Sequence, residues 1–300
     1  MPISSYYLTE FSAKTAYLEL ANTVGLSHLR TPNFSQASTY GLGLQMIDAL
    51  TLGYKKFFIG LGGSASKDMG LGMLEAMGVQ FYNSNDKILH IRTAVLNDIH
   101  HYIIPDALLQ MLEGVSFFAV NDVSNPLVGP NGAAFVYGAQ KGASQRDVEQ
   151  LDASVQSLIH RLNFPFTTNV QEMGTGAAGG TAYGLKAYLN ATFISGFDFL
   201  CELSQLHKLL EKRSFDYIIS GEGSFDPTSL QGKMVGGLRL LAKQYNIPLL
   251  IVCGQSSIVA DFDISENFQI LPLLNPTTSL ESCMNNTSQL IKERVFNYFT

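Results

Sequence analysis

The chain has 300 residues, of which 46% are hydrophobic and only 15% are charged, a composition that excludes a disordered or collagen-like protein. Its 19 basic and 25 acidic residues give a net charge of −6, which argues against a nucleic-acid partner. Apolar runs such as residues 248–253 have the length of a strand and fall far short of a membrane span, so no membrane partner is expected.

The cysteines and the N-terminus predict the compartment. Cys201, Cys253 and Cys283 are widely separated and form no CxxC pair, which predicts buried, reduced thiols and no zinc site. The first residues carry no basic stretch followed by an apolar core, so no secretion signal is expected. Both observations favour a cytoplasmic protein.

Short β-branched and aromatic runs alternate with helical patterns, which is typical of an α/β protein with a largely parallel sheet. At about 150 residues per domain, the length predicts two domains. The predicted strands are 16–20, 56–59, 79–82, 88–91, 115–120, 215–219 and 249–252. The predicted helices are 38–52, 67–77, 145–161, a helix opened by 174–180 that runs to 189, and 234–245.

The first candidate site is a glycine-rich loop that follows the strand 56–59. It contains Gly62, Gly63 and Ser64, with Asp68 four residues further on at the start of a predicted helix. Glycines let a ligand approach the backbone, and a helix N-terminus attracts an anion. Asp68 has two open interpretations, a ligand contact or a cap of the helix.

The second candidate site follows the strand 115–120. Asp122 and Asn125 lie in a polar segment that continues to the Gln-Lys-Gly run at 140–142. Open α/β sheets bind ligands at the carboxyl ends of their strands, where a carboxylate and an amide can contact them. The alternative is an Asx-turn ahead of Pro126.

The third candidate site, residues 221–233, is the most polar stretch of the chain. It combines Glu222, Asp226, Thr228, Ser229 and Lys233 at the carboxyl end of a predicted strand. Carboxylates can hold Mg²⁺ or accept a hydroxyl proton, and a lysine can neutralise phosphate charge.

The fourth motif, residues 174–179, fits the pattern GxGxxG. No convincing strand precedes it, so close helix packing or a substrate-facing loop is favoured over a dinucleotide-binding fingerprint. The chain has no Walker P-loop, no GxSxG nucleophile motif and no HExxH zinc motif.

Taken together, these motifs resemble the glycerate kinase family that phosphorylates D-glycerate with ATP and lacks a P-loop. The resemblance rests on four long stretches in family order, which are GLGGSASKDMGLGMLEAMG (60–78), NDVSNPLVGPNGAAFVYGAQKGAS (121–144), GTGAAGGTAYGLKAYL (174–189) and GEGSFDPTSLQGK (221–233). It implies two dissimilar α/β domains with the active site in the cleft between them. We assign 1–60 and 215–300 to a Rossmann-like domain that lacks its start, and 61–214 to a second domain.

The resemblance also implies the reaction, the cofactors and the partners. The γ-phosphoryl group of ATP would pass to a hydroxyl of glycerate with Mg²⁺, so the expected partners are this small molecule and a nucleotide. The binding residues carried over are Gly62, Gly63, Ser64, Asp68, Asn125, Glu222 and Thr228. Asp122, Asp226 and Lys233 are the catalytic candidates, with Asp226 and Glu222 also as metal contacts. Whether Asp122 or Asp226 is the base stays open, and Lys233 is expected to clamp phosphate.

The chain also departs from the family pattern. The usual N-terminal D-S-F-K-G-S-L-like segment is not found, and Ser224-Phe225 replaces the usual arginine-aliphatic pair before Asp226. A sheet without its first strand would expose an edge and an apolar face. Two alternatives follow: a catalytically impaired remnant or half of a split kinase, and a nucleotide-dependent oxidoreductase based on the fourth motif.

Overall fold

The computed structural model describes residues 4–28, 35–230, 234–257, 267–275 and 279–300. It divides the chain into a first unit, residues 1–195, and a second unit, residues 196–300. Strands and helices alternate and the larger sheets are mostly parallel, which confirms the predicted α/β class.

The strands of the first unit are β1 (Leu8–Glu10), β2 (Thr15–Glu19), β3 (Lys56–Gly60), β4 (Gln80–Tyr82), β5 (Ile88–Leu89), β6 (His101–Ile103), β7 (Ser116–Val120) and β8 (Thr192–Ile194). Its helices are α1 (Ala21–Val24), α2 (Tyr40–Thr51), α3 (Leu71–Ala76), α4 (Asp106–Met111), α5 (Ala133–Tyr137), α6 (Gln145–Arg161) and α7 (Ala177–Leu189). Three 3-10 turns cover Leu26–His28, Thr93–Asp98 and Ala139–Lys141.

The main sheet of the first unit has the order β1-β2-β3-β7-β8 and is parallel except for β1. Tyr17, Phe58 and Phe118 stack across its three middle strands, with ring centroids 5.5 and 4.9 Å apart. Such cross-strand aromatic pairs stabilise one register. The strands β5-β4-β6 form a second, antiparallel sheet that contains the predicted hairpin.

Buried side chains on the main sheet pack against the helices. Met69, Met73 and Met77 are all buried, which confirms that this methionine stripe belongs to the core. Helix α3 is shorter than the predicted 67–77, because Met69 and Gly70 adopt left-handed φ angles of 57° and 76°. A helix cannot continue through consecutive left-handed residues.

The second unit has a parallel sheet of three strands in the order β11-β10-β9. Its strands are β9 (Ile218–Phe225), β10 (Leu249–Ser256) and β11 (Phe268–Pro272). Its helices are α8 (Gly196–Ser204), α9 (Leu206–Lys212), α10 (Met234–Tyr245), α11 (Leu280–Asn285) and α12 (Thr287–Phe299), with a 3-10 turn at Pro227–Leu230. All three cysteines are free and buried.

These units differ from the expected domain ranges. β3 is hydrogen-bonded along its length to β7, so residues on both sides of position 60 belong to one sheet. Residues 1–60 therefore group with 61–195, and the second unit begins at Gly196 instead of residue 215. Strand and helix patterns are local, whereas the pairing of two strands 60 residues apart depends on the tertiary fold.

Candidate active site

Two of the glycine and polar motifs leave the sheet side by side. Gly60 and Val120 are register partners at the carboxyl ends of the parallel strands β3 and β7. A cavity of about 330 Å³ opens there, which we call the glycine-loop cavity. It is lined by residues Leu26, 60–64, 120–123, Tyr137, Gln140, Lys141, Ala177 and Ala178. Its volume is in the range of small-molecule sites.

Backbone hydrogen bonds hold the glycine loop in place, while the space next to Gly62 is unfilled. Leu26 N–H donates to Gly63 O at 2.9 Å, and Ala65 N–H donates to Val24 O at 2.8 Å. Gly62 is exposed, and a Cβ added there would meet no atom within 4 Å. The loop therefore presents its backbone to the cavity from a fixed position, as expected for a ligand-facing glycine.

Lys141 is the charged group buried deepest in the cavity wall. It is only 3% exposed, and its Nζ donates to Ser64 Oγ at 3.2 Å and to Ser66 O at 2.9 Å. Burial lowers the pKa of Lys141 to about 7, the positive charge of Lys67 adds to the effect, and Asp68 opposes it. An anion in the cavity would favour the charged form of this lysine.

Lys67 is a second buried lysine near Lys141. It is 2% exposed, and its Nζ donates to Gly138 O at 3.3 Å. Burial lowers its pKa to about 8. Lys67 does not line the glycine-loop cavity, although its charge acts on Lys141.

Asp68 lies in the protein interior and does not line this cavity. Its Oδ2 accepts from Thr39 N–H at 2.7 Å, from the Thr39 and Ser38 hydroxyls, and from Gly72 N–H. Its Oδ1 accepts from Gly70 N–H at 3.2 Å. Burial raises the pKa of Asp68 and these hydrogen bonds oppose the shift. The observed contacts match the cap interpretation, because Asp68 joins the N-termini of α2 and α3.

In the polar segment after β7, one side chain lines the cavity and others form hydrogen bonds within the segment. Asp122 is exposed and lines the cavity. Asn121 Oδ1 accepts from Val123 N–H at 2.9 Å, so an Asx-turn occurs here, earlier than the one expected before Pro126. Asn125 donates to Asn131 O at 3.0 Å and accepts from Tyr137 Oη at 2.6 Å, so its side chain holds the segment together.

The fourth motif contributes to the same cavity through Ala177 and Ala178. Ala178, Gly179 and Gly180 form a left-handed turn with φ angles of 54°, 65° and 85°. A Cβ added to Gly179 would lie 2.1 Å from Ser66 O, so close packing requires glycine here. Residues 162–176, all of which the structure describes, form no strand ahead of the motif. This arrangement supports close packing and a cavity-facing loop over a dinucleotide fingerprint.

The third motif lies in the second unit. β9 extends to Phe225, so Gly221, Glu222 and Gly223 are in a strand instead of the predicted loop. Glu222 lines a separate cavity of about 520 Å³ with Cys253 and Cys283, and its Oε2 is buried without a hydrogen-bond partner among the described residues.

The rest of that motif forms a turn. Asp226 Oδ1 accepts from Ser229 N–H at 3.3 Å, while Ser229 Oγ accepts from Asp226 N–H at 3.2 Å. Thr228 belongs by its backbone to the turn Pro227–Leu230. The Thr228 side chain and the whole of Lys233 lie outside the described residues.

Sequence reasoning did not select Lys141 or Tyr137 as site residues. The sequence did contain a signal for Lys141. This lysine lies in the Gln-Lys-Gly run at 140–142, which follows the second motif, and only 15% of the residues in the chain are charged. A lysine in an apolar neighbourhood is worth testing as a functional residue. Its burial, however, depends on packing against a loop 77 residues earlier.

Two absences apply to the described part of the chain. It contains no group of three or more His, Cys, Asp or Glu side chains arranged to hold a metal ion. Nor does any of its helices combine the length and apolar character needed to cross a membrane.

The fold is that of an α/β protein with a cavity at the carboxyl ends of its parallel strands, the place where open sheets usually bind their ligands. The model of the glycerate kinase family matches residues 1–299. The chain belongs to this family.

Individual relatives agree with this assignment. The chain is 33% identical over 297 residues to a glycerate kinase of Halalkalibacterium halodurans, covering 95% of this chain and 75% of the relative. It is 30% identical over 272 residues to glycerate 2-kinase of Escherichia coli K12, covering 89% and 70%. A crystal structure from Salmonella typhimurium LT2, assigned as glycerate kinase 2, superposes with a TM-score of 0.74 at 26% identity, covering 97% of this chain and 79% of the other. These relatives support an enzyme of the kinase class.

Proposed function

We propose that this protein is an ATP-dependent kinase that phosphorylates a hydroxyl of D-glycerate to give phosphoglycerate. The observation that carries the proposal is that one cavity is lined by both the ammonium-bearing Lys141 and the carboxylate-bearing Asp122. A hydroxy acid offers a matching pair, since its carboxylate suits the lysine and its hydroxyl can donate to the aspartate. Membership of the glycerate kinase family supports the same substrate class.

The residues of the first unit would bind and orient this substrate. The open backbone at Gly62 and Gly63 gives it room, and Ala177 and Ala178 form an apolar part of the cavity wall. Asp122 would accept the proton of the reacting hydroxyl as a general base. This assignment selects Asp122 over Asp226, because Asp122 is exposed to the cavity whereas Asp226 Oδ1 closes a turn.

Residues of the second unit would hold the magnesium–nucleotide complex. Glu222 has a buried carboxylate oxygen without a partner among the described residues, and Mg²⁺ in kinases needs only one or two carboxylates beside the phosphate oxygens. Glu222 and Asp226 would hold the metal, while Thr228 and Lys233 would contact the nucleotide. When bound, the metal and nucleotide supply the phosphoryl group and neutralise its charge.

The test is release of ADP by the purified chain, coupled to NADH oxidation. We expect turnover that requires D-glycerate, ATP and Mg²⁺ together, with L-glycerate and glycerol as poor substrates. Coupling the product to enzymes specific for 2- or 3-phosphoglycerate identifies the hydroxyl that reacts. No turnover over a wide range of concentrations would refute the proposal for this chain.

Binding measurements separate the alternatives. Binding of D-glycerate without any turnover would favour a catalytically impaired relative or half of a split kinase. Binding of NADH, detected by its fluorescence, would favour an oxidoreductase. The structure offers little support for the latter, because no strand precedes the GxGxxG segment in residues 162–176, which are all described.

A further inference from the structure

Lys141 and Ser64 are arranged as a pair of donors at the wall of the glycine-loop cavity. Lys141 Nζ has three N–H groups, and among the described residues its partners are Ser64 Oγ and Ser66 O. The Ser64 hydroxyl accepts from the lysine, so its own proton points elsewhere. Both residues line the cavity. The pair therefore has one N–H and one O–H left for a third group.

Positive and negative groups both act on this pair. Lys67 and Lys141 are both buried, and the charge of Lys67 lowers the pKa of Lys141, whereas Asp147 acts on Lys67 in the opposite sense. Asp68 is the buried carboxylate that acts on Lys141, but it is already surrounded by five hydrogen-bond donors. A buried ammonium is costly unless it is paired, so an anion bound at this wall would stabilise the charged form of Lys141.

The cavity itself indicates which kind of anion fits. Asp122 also lines it, and a carboxylate would repel the several charges of a polyphosphate. A hydroxy acid places a single charge at one end and a neutral hydroxyl at the other. That molecule can contact Lys141 with its anionic end and Asp122 with its hydroxyl end.

We propose that Lys141 and Ser64 form an anion anchor that holds the carboxylate of the substrate and makes the site select an acid over a neutral polyol. This inference rests on the proposed function, since it assigns the glycine-loop cavity to the acceptor substrate. It adds a role for Lys141, which directs the carboxylate and leaves the hydroxyl facing Asp122. No covalent step is involved.

The experiment is calorimetric titration of the full chain with D-glycerate, without nucleotide, comparing the wild type with Lys141→Met. Methionine keeps the length of the side chain and removes the charge. Loss of a charged hydrogen bond predicts that the dissociation constant for D-glycerate rises 10- to 100-fold in the variant. The wild type should bind glycerol far more weakly than D-glycerate. In the variant, the ratio of the two dissociation constants should approach one.

Two further variants control for the fold. Lys67→Met removes a lysine that is equally buried but does not line the cavity, and it should leave D-glycerate affinity within about threefold. Ser64→Ala removes only one hydroxyl and should weaken binding by about 3- to 10-fold, so it serves if Lys141→Met does not fold. Parallel titrations with ADP and with inorganic phosphate identify the anion. Weaker binding of ADP with unchanged binding of D-glycerate would overturn the proposal.

The outcomes also separate this inference from the proposed function. Equal D-glycerate affinity in folded wild type and Lys141→Met would overturn the anchor and leave the kinase proposal intact. D-glycerate binding that depends on Lys141 but gives no turnover would support the anchor and refute the kinase. A wild type that binds no D-glycerate would refute both.

Discussion

Lys141 Nζ lies 3.2 Å from Ser64 Oγ, and this hydrogen bond joins two motifs separated by 77 residues. It connects the glycine loop after β3 with the segment after β7, and both residues are almost completely buried. A lysine in this setting has an ordinary pKa only when a negative charge compensates it.

The affinity for D-glycerate should depend on pH. The pKa of Lys141 is about 7 in the free protein, and a bound carboxylate would raise it. Binding above pH 7 must therefore take up a proton, so the association constant should be highest below pH 7 and fall by up to tenfold per pH unit as pH rises through that value. Calorimetry at pH 6.5, 7.5 and 8.5, in two buffers of different ionisation enthalpy, measures both the affinity and the proton uptake.

The control must consider every charged or titratable group near Lys141. These groups are Lys67, Asp68, Asp122, Asp147 and Tyr137. The pKa of Lys67 is lowered to about 8, so its titration could contribute. We expect Lys67→Met to keep a pH dependence whose midpoint moves upward, because the charge of Lys67 no longer lowers the pKa of Lys141, and we expect Lys141→Met to remove it. Proton uptake that persists in Lys141→Met would assign the linkage to another group.

Asp122→Asn should strongly slow catalysis and leave the fold intact. Asparagine cannot accept the hydroxyl proton, and removal of a general base typically lowers kcat by 10²- to 10⁴-fold. Because Asp122 is exposed, the melting temperature should stay close to that of the wild type. Steady-state kinetics and thermal unfolding of the same preparation test both parts, and an active Asp122→Asn would return the role of base to Asp226.

Asp68→Asn should destabilise the fold. The Asp68 carboxylate accepts five hydrogen bonds in the interior. In asparagine an NH₂ group replaces one carboxylate oxygen, so it faces N–H and O–H donors and cannot accept from them. We expect a loss of about 2–4 kcal/mol in the free energy of unfolding. Chemical denaturation measures it. A variant as stable as the wild type, with reduced D-glycerate affinity, would instead make Asp68 a ligand contact.

Two glycines of the site should respond differently to alanine. A Cβ on Gly179 would lie 2.1 Å from Ser66 O, and the φ of this residue is +65°, so Gly179→Ala should destabilise the protein by about 2–4 kcal/mol. Gly62 lines the cavity and a Cβ added there would meet no atom within 4 Å, so Gly62→Ala should fold normally, and its methyl group should weaken D-glycerate binding. Denaturation and titration of both variants check this contrast, which equal stabilities would contradict.

Local sequence patterns predicted the central strands and the longer helices of the first unit, but not the helices α8, α9, α11 and α12 of the second unit. Helices α6 and α10 begin and end where their apolar spacing placed them. Strands β3 and β7 agree within a residue, because each is a short buried run bounded by polar or glycine residues. Two elements differ for non-local reasons. Residues 69 and 70 turn left-handed where Gly179 and Gly184 pack against the neighbouring backbone. β9 extends to Phe225, beyond the predicted strand 215–219, because it pairs with β10 as far as Ser256.

The motifs by themselves determined the family and the chemistry to expect, because residue types and their order are carried in the chain. Only the tertiary structure decided which candidate residues line the cavity and which are buried in structural roles. Asp122 lines the glycine-loop cavity, Asp68 is buried as a cap, and Lys141 lies in the cavity wall with a hydrogen bond to Ser64. The physical reason is that desolvation and hydrogen-bond partners depend on groups brought together from distant positions, whereas periodicity and turn propensity act over a few residues.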